Sequence, residues 1–441
     1  MEHRIPVWVW LIAIGICGVI FFAGRRAHLL HYSTTHQQTN VSSSPSSGNE
    51  PIHATAPTEE HNSLHIDIPN PPAPAHNAYD DFLLACKVLI DESGVARAYA
   101  DTNNTTITLT EKETLLRKNA RARTLLQTGL AHNYQCPPIR SFAQAMPYAA
   151  HFRGLMHLLM LDSQVQAAHA RWDIAVPDAL QAIQLGTKIQ HGTILIGYLE
   201  GISFQMTGAR ACWSLINQLD LPQTMTDLQS LQSTLSDQTT VAEAIREEKW
   251  MALATIKAML EQSGKTETDH SLDAQAIKQL PEDRKRQLIA AYTQYLDAWI
   301  DNASKPYAAF VDVPPPSDPY VRQFAAPNMW KLYLLKAAAC QANLRMLQLT
   351  LALQAYHLQH HTLPPTLDAL TPAYLRMLPN DPFARQGSFL YRPKGSNYRL
   401  YSLGPDGKDD GGEAVDNGGD INTRYRISED SQGDLVAGIN M

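Results

Sequence analysis

Tyr398-Arg399-Leu400-Tyr401-Ser402-Leu403-Gly404-Pro405-Asp406-Gly407-Lys408-Asp409-Asp410-Gly411-Gly412, followed by Asp416 and Asp420-Ile421, joins a short alternating segment to a loop dense in carboxylates and glycines. Alternation of apolar and polar residues over Tyr398 to Ser402 is the period of a strand with one buried face. The loop after it has the chemistry of a hard-cation site: carboxylate oxygens attract calcium, which takes six to eight oxygen ligands, and glycines such as Gly407, Gly411, Gly418 and Gly419 let backbone fold closely round an ion. It is not an EF-hand. With Asp406 as the first position, Lys408 falls at the third and Asn417 at the twelfth, where that motif needs oxygen ligands of a different pattern.

Upstream of the strand, an apolar stripe of Leu332, Leu335, Ala339, Ala342, Met346, Leu349, Leu353 and Tyr356 recurs at three- and four-residue spacing from Lys331 to about His360. One face of a long helix is therefore expected to be buried. Lys336, Gln341, Asn343, Arg345 and Gln348 exclude it as a membrane span. His357, His360 and His361 close the helix; i,i+4 histidines can hold a metal, but favourable interaction with the C-terminal helix dipole is the simpler reading.

After the helix come Leu363-Pro364-Pro365-Thr366-Leu367-Asp368-Ala369-Leu370, Leu378-Pro379-Asn380-Asp381-Pro382-Phe383, and strands around Phe389 to Arg392 and Tyr398 to Ser402. In this order the segments resemble the major pseudopilin of type II secretion systems over about Leu344 to Arg426. The resemblance implies a small α+β head with a calcium-tied loop. It points to Asp406 and Asp420 as ligands, then Asp416, with the Leu403 carbonyl contributing. A pseudopilin also carries a glutamate five residues into its mature chain and a spine helix continuous with its anchor; the N-terminal run here has neither, so the resemblance covers the head and leaves polymerisation open.

That N-terminal run, Val7 to Ala23, is uninterrupted apolar sequence between Arg4 and Arg25-Arg26. It spans roughly 25 Å as a helix, enough with its flanks to cross a bilayer. Without an Ala-x-Ala closure it is read as an uncleaved anchor within residues 1–30 and not as a signal peptide. The flanking arginines slightly favour a cytoplasmic C-terminal side, whereas a weak calcium site suits the outer side of the membrane, where millimolar calcium is found. The expected location is the plasma (inner) membrane, single-pass, with everything after Gly24 extracytoplasmic.

Residues 31–77 shift to Ser, Thr, Pro, His, Asn and Gln and are expected to form a disordered spacer. From 78 to 305 the pattern is helical. Trp172-Asp173-Ile174-Ala175 is followed by Val176-Pro177-Asp178-Ala179-Leu180, where a helix is expected to restart with Pro in its early turn. This layout is similar to tetratricopeptide-type hairpins and to helical regions of bacterial membrane-anchored proteins; no 34-residue repeat recurs, so an irregular α-helical array is expected. Helices are placed at Thr240 to Gln262 and Leu280 to Ile300, and a Pro-rich connector at 306–327. The fold class is thus mainly α: an N-terminal transmembrane helix, an extracytoplasmic helical array and, over 328–441, a long helix with the α+β head.

Composition narrows the function. A formal net charge of -7 with scattered Lys and Arg leaves no basic field for nucleic acid. Cys17, Cys86, Cys136, Cys212 and Cys340 show no zinc spacing and are read as free thiols, with a Cys86–Cys136 bridge left open. Glu243, Glu247 and Glu248, with Arg246 and Lys249 nearby, are expected to be an exposed charge pattern. The expected role is non-enzymatic: a structural or interaction protein of type II secretion or pilus-like assembly, with calcium as structural cation and a protein partner. A helical scaffold for a peptide partner is the alternative, and an envelope hydrolase using Glu247 or His157 a further one; no Gly-x-Ser-x-Gly or His-Glu-x-x-His sequence supports the hydrolase.

Overall fold

Helices dominate because long proline-poor stretches carry apolar residues at helical spacing and because many of them are explicitly capped. The computed structural model describes residues 66–141, 147–261, 279–324, 327–418 and 426–440. The expected anchor, most of the spacer and Asp420 lie outside the described residues. Among those described, no helix is long and apolar enough to cross a membrane.

The order is α1 Ala78–Val88, α2 Glu92–Ala100, α3 Leu109–Lys118, α4 Ala120–Leu130, α5 Pro147–Ala168, α6 Trp172–Lys188, α7 Leu195–Leu215, α8 Leu221–Ser236, α9 Val241–Glu261, α10 Glu282–Ala303, α11 Pro319–Phe324 and α12 Pro327–His360. Strands β1 Leu390–Lys394, β2 Asn397–Ser402 and β3 Leu435–Val436 follow. Local chemistry sets many of these ends. Thr108 and Glu111 form a reciprocal capping box at the start of α3, and the Asp220 side chain accepts from Gln223 N–H at the start of α8. Asn119, fully buried where α3 gives way to α4, accepts from Ile90 N–H at 2.7 Å and donates to Ile90 and Leu115 carbonyls at 3.0 Å.

Two boundaries differ from expectation. The helix expected to restart at Val176 already begins at Trp172, and Pro177 is accommodated within α6. The end of the spacer is held, with Pro69 carbonyl accepting from Arg140 Nη2 at 2.7 Å and Asn77 capping α1.

α6 and α7 approach unusually closely because glycines face glycines. A β-carbon on Gly201 would lie 2.5 Å from the Gly186 carbonyl oxygen, so the backbones touch where side chains would otherwise separate them. The largest correction concerns α12. Its expected single buried face would leave the rest in solvent, yet Leu344, Leu347, Leu351, Ala352 and Ala355 are as fully buried as Ala342, Met346, Leu349 and Leu353, and Leu332 from the expected stripe is 39% exposed. The cause is tertiary: α7, α8 and the head cover different sides of α12, and one apolar cluster runs from Phe82 on α1 through Leu349 to Leu400 on β2. Leu64–Met441 is accordingly one compact unit, and the proline-rich connector, containing α11, does not divide it into separate cores.

The head is a three-stranded antiparallel sheet in the order β1-β2-β3. Leu390 faces Tyr401 and Lys394 faces Asn397 across a tight turn at Gly395-Ser396; β3 adds through Tyr401 with Val436 and Ser402 with Leu435. β1 and β2 stand where the alternation predicts them. β3 has no such signal, being only two residues long.

Candidate functional site

The loop that leaves β2 is anchored at its root by Asp381. This side chain, 3% exposed, accepts from Phe383 N–H at 2.9 Å, Ser402 Oγ at 2.7 Å and Leu403 N–H at 3.0 Å. It thereby fastens the Leu-Pro-x-Asp-Pro turn to the last residue of β2 and the first of the loop. Burial nevertheless pushes its carboxyl above the usual range, opposed by those donors and by Arg345.

Beyond Leu403 the chain turns through Gly404, Gly407, Gly411 and Gly412, all at φ between 68° and 81°, a region L side chains avoid. At Gly412 a β-carbon would also strike the Arg399 side chain. Asp406 accepts from Lys408 N–H at 3.2 Å, and Lys408 Nζ lies 4.0 Å from its other oxygen. Asp416 Oδ1 accepts from Gly418 N–H at 2.9 Å. Asp409 is the most heavily engaged: Arg392 Nη2 donates at 3.0 and 3.2 Å, Tyr401 hydroxyl at 3.0 Å and Gly411 N–H at 2.9 Å. The Gly411 N–H leads the groups that hold the Asp409 carboxyl below its ordinary range, and burial pushes the Tyr401 hydroxyl up to about 12.

Asp434 closes the loop from the far side. It is fully buried; Oδ2 accepts from Gly412 N–H at 2.6 Å, and Oδ1 has no partner. Its backbone also stitches the segment, with Val415 N–H donating to its carbonyl at 3.0 Å and its own N–H donating to the Glu413 carbonyl at 2.7 Å. Burial first, then the nearby Asp409 and Asp410, push its carboxyl up to about 6 while the Gly412 and Asp410 N–H groups draw it down. Nothing in the local sequence marks Asp434, since its role depends on a partner 22 residues away.

Of the expected ligands, Asp406 and Asp416 each accept a nearby backbone N–H, and Asp420 lies outside the described residues. Among the described residues, no three His, Cys, Asp or Glu side chains are gathered so that they could hold a metal ion.

The remaining candidates are dispersed. Glu247 pairs with Arg140 at 2.9 Å, and Glu243 accepts from the Thr239 hydroxyl. Glu248 departs from the expected exposed charge pattern. It is half-buried, accepts from Leu195 N–H at 3.2 Å, and is pushed up to about 7 by burial. His157 stacks on Tyr99 at 5.3 Å, and burial lowers it to about 4; it lies on α5, whereas Glu247 lies on α9. At the end of α12, His360 packs on Tyr356 with ring centroids 4.3 Å apart and tilted, and His361 leaves the helix at φ 57°. Cys86, Cys136, Cys212 and Cys340 are free, so the Cys86–Cys136 bridge is not formed.

No curated protein and no solved structure matches the chain. Residues 333–422 match the family model described as type II secretion system (T2SS), protein G. The matched stretch begins within α12 at Tyr333, takes in the Asp381 turn, the β1–β2 hairpin and the aspartate-glycine loop, and stops short of β3 and Asp434. The C-terminal region of this chain is thus similar to the major pseudopilin, with the helical region before it unassigned.

Proposed function

We propose that this chain is a non-enzymatic, membrane-anchored protein of the bacterial envelope whose pseudopilin-like head has a structural or interaction role in a type II secretion or pilus-like assembly. The observation that carries the reading is that the protein G match, 333–422, takes in most of the long helix, the tied turn, the hairpin and the acidic loop. Burial of α12 by this chain's own α7 and α8 favours a head set into its own helical region over a subunit that polymerises through that helix. The titratable groups of the helical region favour a non-catalytic role, because Glu247, Glu243 and Glu248 each serve a local structural contact.

A photo-crosslinking residue in place of Met377, which is 73% exposed on the head, is expected to form adducts with components of such an assembly in intact cells. Absence of adducts, together with normal secretion in cells lacking the chain, would sink the proposal. Calcium is the cation proposed for the loop, held by Asp406, Asp416, Asp420 and the Leu403 carbonyl, and it would supply positive charge to an acidic turn. Millimolar calcium is then expected to raise the melting temperature of the whole protein by binding the folded state alone. No shift would remove calcium and leave the assembly reading standing.

A further inference from the structure

Away from the head, α4, α5 and α6 meet at a polar junction in which two carboxylates share one cation. Arg123 on α4 places Nη1 2.6 Å from Asp162 Oδ2 on α5 and Nη2 2.8 Å from Asp178 Oδ1 on α6. The Asp162 and Asp178 side chains are 3% and 1% exposed, the Arg123 side chain 30%. Gln166 Nε2 donates to Asp162 Oδ1 at 2.6 Å, while Asp178 Oδ2 has no partner.

Fully ionised, this junction holds one negative charge more than Arg123 can offset, on two carboxylates that are almost wholly buried. A charge buried without a partner costs several kcal/mol and is ordinarily avoided by taking up a proton. Asp178 Oδ2 is where a proton removes the excess without breaking a hydrogen bond. The charged groups acting on Asp178 are Asp162 from α5 and Arg123 from α4; α7 and α8, which also pack on α6, contribute none.

We propose that the Asp162–Arg123–Asp178 junction is a pH-sensitive latch: at mildly acidic pH its carboxylate pair holds one proton and clamps the three helices, and at alkaline pH the uncompensated charge loosens them. Burial, then Asp162, pushes the Asp178 carboxyl up to about 7, with Arg123 opposing. Because the folded value lies above that of an unfolded aspartate, the folded state binds the extra proton. The stabilisation is therefore complete below the unfolded value near 4 and is lost as pH rises through about 7.

Hydrogen exchange of the full chain, corrected for intrinsic exchange rates, tests the latch at pH 6 and pH 8. Opening of α4 and α6 is expected to be roughly tenfold less frequent at pH 6, as a single proton site titrating near 7 requires. In Asp178→Asn the roughly tenfold part of that difference due to this site is expected to be lost, leaving only what other buried acids such as Asp227 impose, with protection at pH 8 at or above the wild-type level. Should Asp178→Asn fail to fold, Asp162→Asn carries the same expectation, since removing either acid leaves one carboxylate for one arginine. Equal wild-type protection at both pH values, or a pH dependence as large in both variants as in the wild type, would overturn the latch.

Discussion

Replacing Asp381 by alanine should detach the root of the acidic loop from the sheet. Asp381 accepts three hydrogen bonds, from Phe383 N–H at 2.9 Å, Ser402 Oγ at 2.7 Å and Leu403 N–H at 3.0 Å. Hydrogen bonds to an ionised acceptor contribute about 1.5–3 kcal/mol each, so their gross sum is about 4.5–9 kcal/mol. The carboxylate itself resists burial, as its raised pKa records, which cancels some of that sum. A net loss of about 3–5 kcal/mol is therefore expected, the scale seen when one member of a buried charged network is removed. Asp381→Asn, which keeps one acceptor oxygen and turns the other position into a donor facing a donor, should lose about half as much. Urea unfolding gives the net cost, and hydrogen exchange over 403–412 shows whether it is felt in the loop. A cost below about 1 kcal/mol, or a loop whose protection is unchanged, would refute the view that this single carboxylate ties turn, strand and loop together.

Four further expectations rest on other contacts. Gly201→Ala should cost about 2–3 kcal/mol by thermal unfolding, because its β-carbon meets the Gly186 backbone, which cannot move aside as a side chain can; a neutral result would mean α6 and α7 can separate freely. Asn119→Ala should cost about 3 kcal/mol in urea, since it orphans both Ile90 backbone groups, and it fails as an expectation if the loss is within about 0.5 kcal/mol, the scatter typical of surface changes. Ala170→Gly should raise stability by roughly 0.5–1 kcal/mol, because Ala170 is exposed at φ 54° between α5 and α6; calorimetry showing destabilisation would contradict it. Asp227, 3% exposed with Oδ2 unpartnered, is pushed up to about 7 by burial, so its folded-state proton favours stability that is lost as pH rises from about 4 through 7. Asp227→Asn should flatten that region of the pH–stability curve, and an unchanged curve would show that Asp227 does not titrate there.

What local chain chemistry can encode was legible. The three- and four-residue spacing from Leu335 to Leu353 set a helix, the alternation at Tyr398 to Ser402 set a strand, and the glycines after Leu403 set a loop, because each pattern reflects contacts within a turn or two of backbone. The turns that Asp406 and Asp416 cap were legible for the same reason, each aspartate accepting from a backbone N–H two residues on. How many sides of α12 are buried could not be read that way, since it depends on which helices arrive from about 100 residues upstream.

By itself the sequence determined the helical character of the chain, the hairpin and the acidic turn-rich loop, all products of short-range periodicity and backbone preference. Only the tertiary structure decided that α12 is enclosed, that Asp381 and Asp434 hold opposite ends of the loop, and that Asp162 and Asp178 share Arg123. Those functions belong to side chains whose partners lie 22 to 55 residues away. Burial and electrostatics act through space, and an isolated aspartate carries no mark of the group that folding will set against it.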